Sequence, residues 1–225
     1  MQRRPQVNKW LTSTVKTYTD QYGLTDKPVI YEVGSRDGND GVELAARIYS
    51  GDNLWKDSTI VLFEANPPQQ KLIEEKYPEA LLIKEAILDK AGTVEFLQLK
   101  GDKNVVGSST MDLTRTRQHW AKNNDVIKVP TRRLDDVIKE LKHENTQIDI
   151  MKIDIEGYTA EALRSLGKYL TNVRVFHLET EVEGAARAET NLEIVKYMEE
   201  QGYRCMALEY EWPPSIQDQV WLRNV

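Results

Sequence analysis

Short apolar runs alternate along this chain with segments whose apolar positions recur at helical spacing. Residues 8–22 predict an N-terminal helix, and Val29–Val33 a short strand that stops at Gly34. From Gly41 to Tyr49, Val42, Leu44, Ala45 and Ile48 share one helical face. Thr59–Phe63 is a second strand followed by Glu64. A Pro-Pro pair then precedes a helix near Gln69–Lys76, where proline is tolerated at the first turn. Ala80–Leu88 predicts a third strand, and Thr93–Leu99 alternates like an added edge strand. Leu134–Lys142 predicts a helix, Ile148–Ile155 a fourth core strand and Ala160–Tyr169 a further helix. Val173–Leu178 predicts a fifth strand running into Glu179 and Glu181. A helix at Asn191–Gln201 precedes two closing strands, Tyr203–Leu208 and Gln219–Arg223, joined by Trp212-Pro-Pro-Ser215.

Strand and helix in repeated alternation predict an α/β protein. Its Rossmann-like sheet is mostly parallel, with helices on both faces and an antiparallel last strand. At 225 residues the chain suits one domain. Residues 1–27 form an N-terminal helical extension to it. Residues 100–126 are polar and contain Gly107-Ser-Ser-Thr110; a long irregular stretch inside a compact domain is a lid or substrate loop. The net charge of −6 argues against a nucleic-acid or membrane-surface binder, both of which favour a basic surface. One cysteine, Cys205, rules out a disulfide framework within the chain; its apolar neighbours predict a packed thiol. The basic start has no apolar stretch behind it, so it is no secretory signal, and the expected location is the cytoplasm.

Chemistry concentrates where strands are predicted to end. In Ile148-Asp-Ile-Met-Lys152-Ile-Asp154-Ile-Glu156-Gly157, charges interrupt a run of isoleucines. Charged groups in such a run need partners or a ligand, and ligands of open α/β sheets collect at the carboxyl ends of strands. A salt-bridge network would account for the same residues. Upstream, Glu32-Val-Gly34-Ser35-Arg36-Asp37-Gly38 is a glycine turn between strand and helix. It lacks the G-x-G-x-x-G fingerprint of NAD sites, and its acids suit a cation or an amino group better than a pyrophosphate. Glu64, ending the second strand, is placed to accept hydrogen bonds from ribose hydroxyls.

Together these blocks resemble the class I S-adenosylmethionine-dependent methyltransferases, and within them the FkbM family. The resemblance spans most of residues 29–182. Besides the turn and the Lys152–Gly157 block, it is carried by Val61-Leu-Phe-Glu64-Ala65-Asn-Pro67, Glu85-Ala86-Ile-Leu-Asp89, Val129-Pro-Thr-Arg-Arg-Leu134-Asp135 and His177-Leu-Glu179. It implies a seven-stranded sheet and methyl transfer to oxygen. It also implies that Glu32 and Gly34, with Ser35, Arg36, Asp37 and Gly38, face the methionine end of the cofactor. Glu64 belongs with the ribose, Ala65 with the adenosine wall, and Glu85 and Ala86 with the adenine. The family's usual Asp-Val-Gly-Ala-Asn is Glu-Val-Gly-Ser-Arg here, and Arg36 is free to meet the cofactor carboxylate or Asp37. Ser108 and Ser109 of the lid are expected to cap the cofactor.

A hydroxyl acceptor needs a general base or a metal to become a nucleophile. Asp154 is the expected base or ligand, with Lys152 beside it and Glu156, His177 and Glu179 as further catalytic candidates; strand alternation puts residues 152, 154 and 156 on one side. A divalent cation on Asp154, Glu179 and Glu181 is possible but not expected. His143 is expected at a solvated helix end. The acceptor is a small molecule or glycan, with Trp120, Tyr158 or Trp212 available to stack and Arg115, Arg117, Arg132 or Arg133 to meet anionic groups. Two other classes remain open, a nucleotide-binding oxidoreductase and a non-catalytic nucleoside-binding module.

Overall fold

The computed structural model describes residues 9–98, 125–181, 189–210 and 216–224. The serine-containing segment with Ser108 and Ser109, the side chains of Arg115, Arg117, His119 and Trp120, and the Trp212–Ser215 turn lie outside them.

Helix α1 (Lys9–Tyr22) leads into β1 (Val29–Val33), then α2 (Asn39–Ile48), the short α3 (Leu54–Asp57), β2 (Thr59–Phe63) and α4 (Pro67–Lys76). Next come β3 (Leu81–Ile83), β4 (Ala86–Ile87), β5 (Gly92–Gln98), β6 (Asp125–Arg132) and α5 (Leu134–Glu140). The chain closes with β7 (Ile148–Ile153), α6 (Thr159–Ser165), a 3-10 turn, β8 (Val173–Glu181), α7 (Glu189–Glu200), β9 (Tyr203–Tyr210) and β10 (Ile216–Arg223).

Seven strands form one sheet in the order β3-β2-β1-β7-β8-β10-β9. All its pairings are parallel except those of β10, which runs antiparallel to both β8 and β9. This is the predicted architecture. The chain winds outward from β1 through β2 to β3, and in the opposite sense from β7 to β8, so the crossovers diverge between β1 and β7. A crevice opens there at the carboxyl ends of the strands.

Both faces of the sheet are covered. Ile30, Ile60, Leu62, Ile150 and Val175 meet Leu11 and Tyr18 of α1, Leu44 and Ile48 of α2 and Ile73 of α4. Tyr31, Phe63, Met151, Ile153 and Phe176 meet Val137 of α5, Leu163 of α6 and Met198 of α7. Every residue of β7 is buried, which is why its sequence is an unbroken apolar run apart from Asp149 and Lys152.

Asp149 is satisfied at the start of β7. It accepts from the Tyr18 hydroxyl at 2.8 Å, the Val29 N–H at 2.8 Å and the Gln147 amide at 3.1 Å. These bonds pin α1 to the sheet. No helix among the described residues is long and apolar enough to cross a membrane.

Four local expectations change. The run Ala80–Leu88 is two strands, because β2 ends at Phe63, opposite Ile83, and leaves no partner beyond. β4 instead joins a separate three-stranded sheet, ordered β4-β6-β5, in which β5 is an edge strand as expected of Thr93–Leu99. β6 at its centre escapes prediction because Pro130 lies in it. Proline is tolerated there because β4 pairs only Thr131 and Arg132, leaving that side of residue 130 open. Finally, Cys205 is exposed on β9 rather than packed, and His143 is partly buried, its Nδ1 2.7 Å from the Tyr31 hydroxyl.

Asp149→Ala leaves three donors without an acceptor, the buried Tyr18 hydroxyl among them. A loss of about 2–4 kcal/mol is expected from hydrogen bonds to a charged group, measured as a lower denaturation midpoint at unchanged m-value.

Candidate active site

The β1 turn is built by its own hydrogen bonds. The Ser35 hydroxyl donates to the Glu32 carbonyl at 2.7 Å and accepts the Phe63 N–H at 3.0 Å, stitching β1 to β2. Gly34 has φ +87°, and a Cβ there would stand 1.8 Å from the Asp154 carbonyl oxygen. Only glycine lets the β1 and β7 ends approach this closely. Gly38, also at positive φ, precedes α2. Asp37 is taken by the side-chain amide of Asn39 rather than by Arg36, and Arg36 itself is exposed at φ +48°.

Two buried acids face this turn. Glu32 accepts the Gly41 N–H at 3.0 Å. Burial raises its pKa to about 8 in spite of nearby Lys152. Glu64 accepts the Arg36 N–H on one oxygen and the Asn66 N–H on the other, each at 2.7 Å, and burial raises it to about 7. A carboxylate offers about four lone-pair sites, so both Glu64 oxygens retain acceptor capacity. The two hydroxyls of a ribose diol would donate to those acceptors.

Lys152 stands one residue before the end of β7, with its ammonium 2.7 Å from Asp40 and 3.1 Å from Asp154. Burial favours the neutral amine, but Asp154, Asp40 and Glu32 outweigh it and raise the lysine pKa well above its usual value. Asp40 responds in kind. Burial works against its charge, yet Lys152 holds its carboxyl below the ordinary range. The sequence reading missed Asp40, although an acid in the first turn of the helix after a glycine turn was the available signal.

Asp154, Glu156 and Glu179 each bring a carboxylate oxygen within 4.8 Å of the others. They converge through a turn rather than through strand alternation. β7 ends at Ile153, and Glu156 adopts φ +53° before Gly157 at φ +91°. Glu181, the expected third ligand, is not in this group. Burial raises the Glu179 pKa well above the usual carboxyl value, and Asp154, Glu156 and Asp218 push it the same way. The convergent oxygens are hard donors of the kind Mg²⁺ or Ca²⁺ takes.

His177 stands opposite Lys152 in the β7–β8 register, but both its nitrogens are engaged. Nδ1 lies 3.1 Å from the Thr14 hydroxyl and Nε2 3.1 Å from Asp218. Neither partner was read from the sequence, because Asp218 falls just before the strand predicted there and Thr14 is remote along the chain. Ala65 and Ala86 share a small apolar cluster with Phe96, Val129 and Tyr158. Glu85 is 4.0 Å from Arg132 and half-buried. Ser109 lies outside the described residues.

A doubly wound sheet with a glycine turn, a strand-end acid and a charged crevice at its switch point defines the class I methyltransferase fold. A Streptococcus mutans protein in complex with SAH is 13% identical, aligns over all of both chains and gives a TM-score of 0.51. The N-terminal domain of human METTL16 in complex with SAH is 10% identical over 99% of this chain and 72% of that one, with a TM-score of 0.49. A Streptococcus agalactiae protein of the NADB-Rossmann superfamily is 13% identical over 97% and 69%, also at 0.49. No curated protein matches the sequence. The family model of the methyltransferase FkbM domain matches residues 32–205. The chain belongs to that family, and S-adenosylmethionine is its cofactor.

The raised acids set a pH dependence of stability in the cofactor-free protein. Glu32 and Glu64 keep protons in the folded state that the unfolded chain releases above about pH 4.5. Stability therefore falls as pH rises, through about 7 for Glu64 and about 8 for Glu32. Glu32→Gln should flatten the upper part of this slope in denaturant titrations from pH 5 to 8; an unchanged slope would mean that Glu32 titrates normally.

Proposed function

We propose that this chain transfers a methyl group from S-adenosylmethionine to a hydroxyl oxygen of a sugar, glycan or other secondary metabolite. The observation that carries this reading is the carboxylate of Asp154. It is held by a buried ammonium at the end of the central strand, against the glycine turn. When bound, the cofactor supplies an electrophilic methyl on a sulfonium. Glu64 would take the ribose hydroxyls, the Glu32–Gly38 turn the methionine end, and Ala65 and Ala86 an edge of the adenine.

The protein's own work is then positional and protonic. Alignment of donor and acceptor is worth roughly 7–11 kcal/mol of the barrier. Asp154 accepts the acceptor hydroxyl's proton as the oxygen attacks, and Lys152 fixes the orientation of that carboxylate. Asp40 holds Lys152 from the other side. Glu179 and Glu156 flank Asp154, each with a carboxylate oxygen within 4.8 Å of it, and narrow the crevice around the reacting oxygen. His177, with both nitrogens engaged, serves as a support for the β8–β10 end of the site.

The same three carboxylates favour a second arrangement, a divalent cation on Asp154, Glu156 and Glu179 that lowers the acceptor hydroxyl's pKa. The Lys152 ammonium, already 3.1 Å from Asp154, weighs against it. Turnover that survives exhaustive chelation would select the base; turnover lost on chelation and restored by Mg²⁺ would select the cation.

Asp154→Asn should lower kcat by about 10²–10⁴-fold, the usual worth of a general base, while calorimetric affinity for S-adenosylhomocysteine is retained. Full turnover in that variant would remove Asp154 from the mechanism. Glu64→Ala should instead weaken cofactor binding by about 10–100-fold, as expected for hydrogen bonds to a charged group. An unaltered dissociation constant in a folded variant would reject the ribose assignment.

A further inference from the structure

The outer edge of the main sheet is the largest feature that the site leaves unexplained. β9 pairs with β10 on one side, and among the described residues no strand covers its other side. Outward backbone N–H and C=O groups on such an edge are a template for another strand. Protected edges carry lysine, proline or inward charge. β9 reads Tyr-Arg-Cys-Met-Ala-Leu-Glu-Tyr, with no lysine or proline. Met206, Leu208 and Tyr210 are exposed at 41%, 54% and 64%.

Register against β10 fixes the face of each β9 side chain. Arg204, Ala207 and Glu209 stand opposite Leu222, Val220 and Asp218. Opposed residues in an antiparallel pair share a face, and Leu222 and Val220 lie in the core beneath α1 and α2. Cys205 stands opposite Trp221, which belongs to the core on the other face; Leu208 and Tyr210, opposite Gln219 and Gln217, alternate onto that same side. Met206 has no opposite number, because the register shifts by one between Val220 and Trp221. In a regular strand, residues five apart lie on opposite faces. The bulge at Met206 brings Arg204 and Glu209 onto one face.

We propose that β9 pairs antiparallel with β9 of a second copy of this chain, about a two-fold axis between residues 206 and 207. In this register Arg204 faces Glu209 of the partner subunit, Cys205 faces the partner's Leu208, and Tyr203 faces the partner's Tyr210. Every such pair shares a face. The charge pair forms twice, as an isologous interface requires. A slip of one residue in either direction opposes side chains of different faces. A slip of two sets Arg204 against Ala207 and loses the charge pair. The dimer carries the sheet through the axis and encloses both exposed edges. It stands independently of the methyltransferase chemistry.

The chain's single cysteine makes the register directly testable. Opposed residues have Cα atoms about 4.5–5.5 Å apart, within disulfide range. Leu208→Cys should therefore cross-link to Cys205 of the partner subunit under mild oxidation. Residues 205 and 208 of one strand are roughly 10 Å apart and cannot close within a chain. Tyr210→Cys, which in this register faces Tyr203, should not cross-link. Sedimentation of the full chain should show a dimer. Arg204→Glu or Glu209→Arg alone should raise its dissociation constant roughly tenfold, about 1.4 kcal/mol, and the double exchange should restore it. A monomer at every concentration, a dimer indifferent to the exchanges, or a Leu208→Cys protein that stays uncross-linked would overturn the proposal.

Discussion

A buried ammonium among carboxylates governs the architecture of this site. Lys152 lies on a strand whose every residue is buried, where an unpaired charge would cost several kcal/mol. It is tolerated because Asp154 follows two residues later and Asp40 reaches it from the first turn of α2. Both partners depend on the chain around them. Asp154 is in place because its N–H donates to the Val33 carbonyl at 2.9 Å and because Gly34 lets that turn close. Asp40 is in place because Gly38 turns the chain into α2. One charge thus ties together the ends of β1 and β7 and the start of α2, the three segments that wall the crevice.

The acids around this centre divide by their fate on burial. Asp40 stays ionised because a cation is in direct contact. Glu32, Glu64 and Glu179 have their pKa values raised because burial outweighs what their neighbours return. The site therefore carries less negative charge near neutral pH than its carboxyl count implies. The charge that burial leaves in place is the Lys152–Asp40 pair.

The sequence carried the main sheet plainly, because parallel strands buried on both faces leave continuous apolar runs and the crossovers between them leave helical periodicity. It carried Glu32, Gly34, Glu64, Lys152 and Asp154 because charge and glycine at strand ends break those runs. It did not carry the second sheet, whose central strand contains Pro130 and whose third strand, Ala86–Ile87, is only two residues long. Long-range polar partners were equally silent. Thr14 and His177 are 163 positions apart, and nothing local in either marks the contact. Asp154, Glu156 and Glu179 were each read as catalytic candidates, but Glu181 rather than Glu156 was expected to converge with the other two, since a positive-φ residue such as Glu156 has no compositional signature.

Helix α1 makes two buried side-chain hydrogen bonds to the sheet, through Tyr18 to Asp149 at the foot of β7 and through Thr14 to His177 near the head of β8. The two contacts are four residues apart on one helical face, a little over a turn at 3.6 residues per turn. One inserted or deleted residue between them rotates the face by about 100° and sends one contact into solvent or apolar packing. The helix therefore works as a gauge. Drift in its length is permitted before Thr14 or after Tyr18, while the interval between them is held by two buried hydrogen bonds at opposite ends of the sheet.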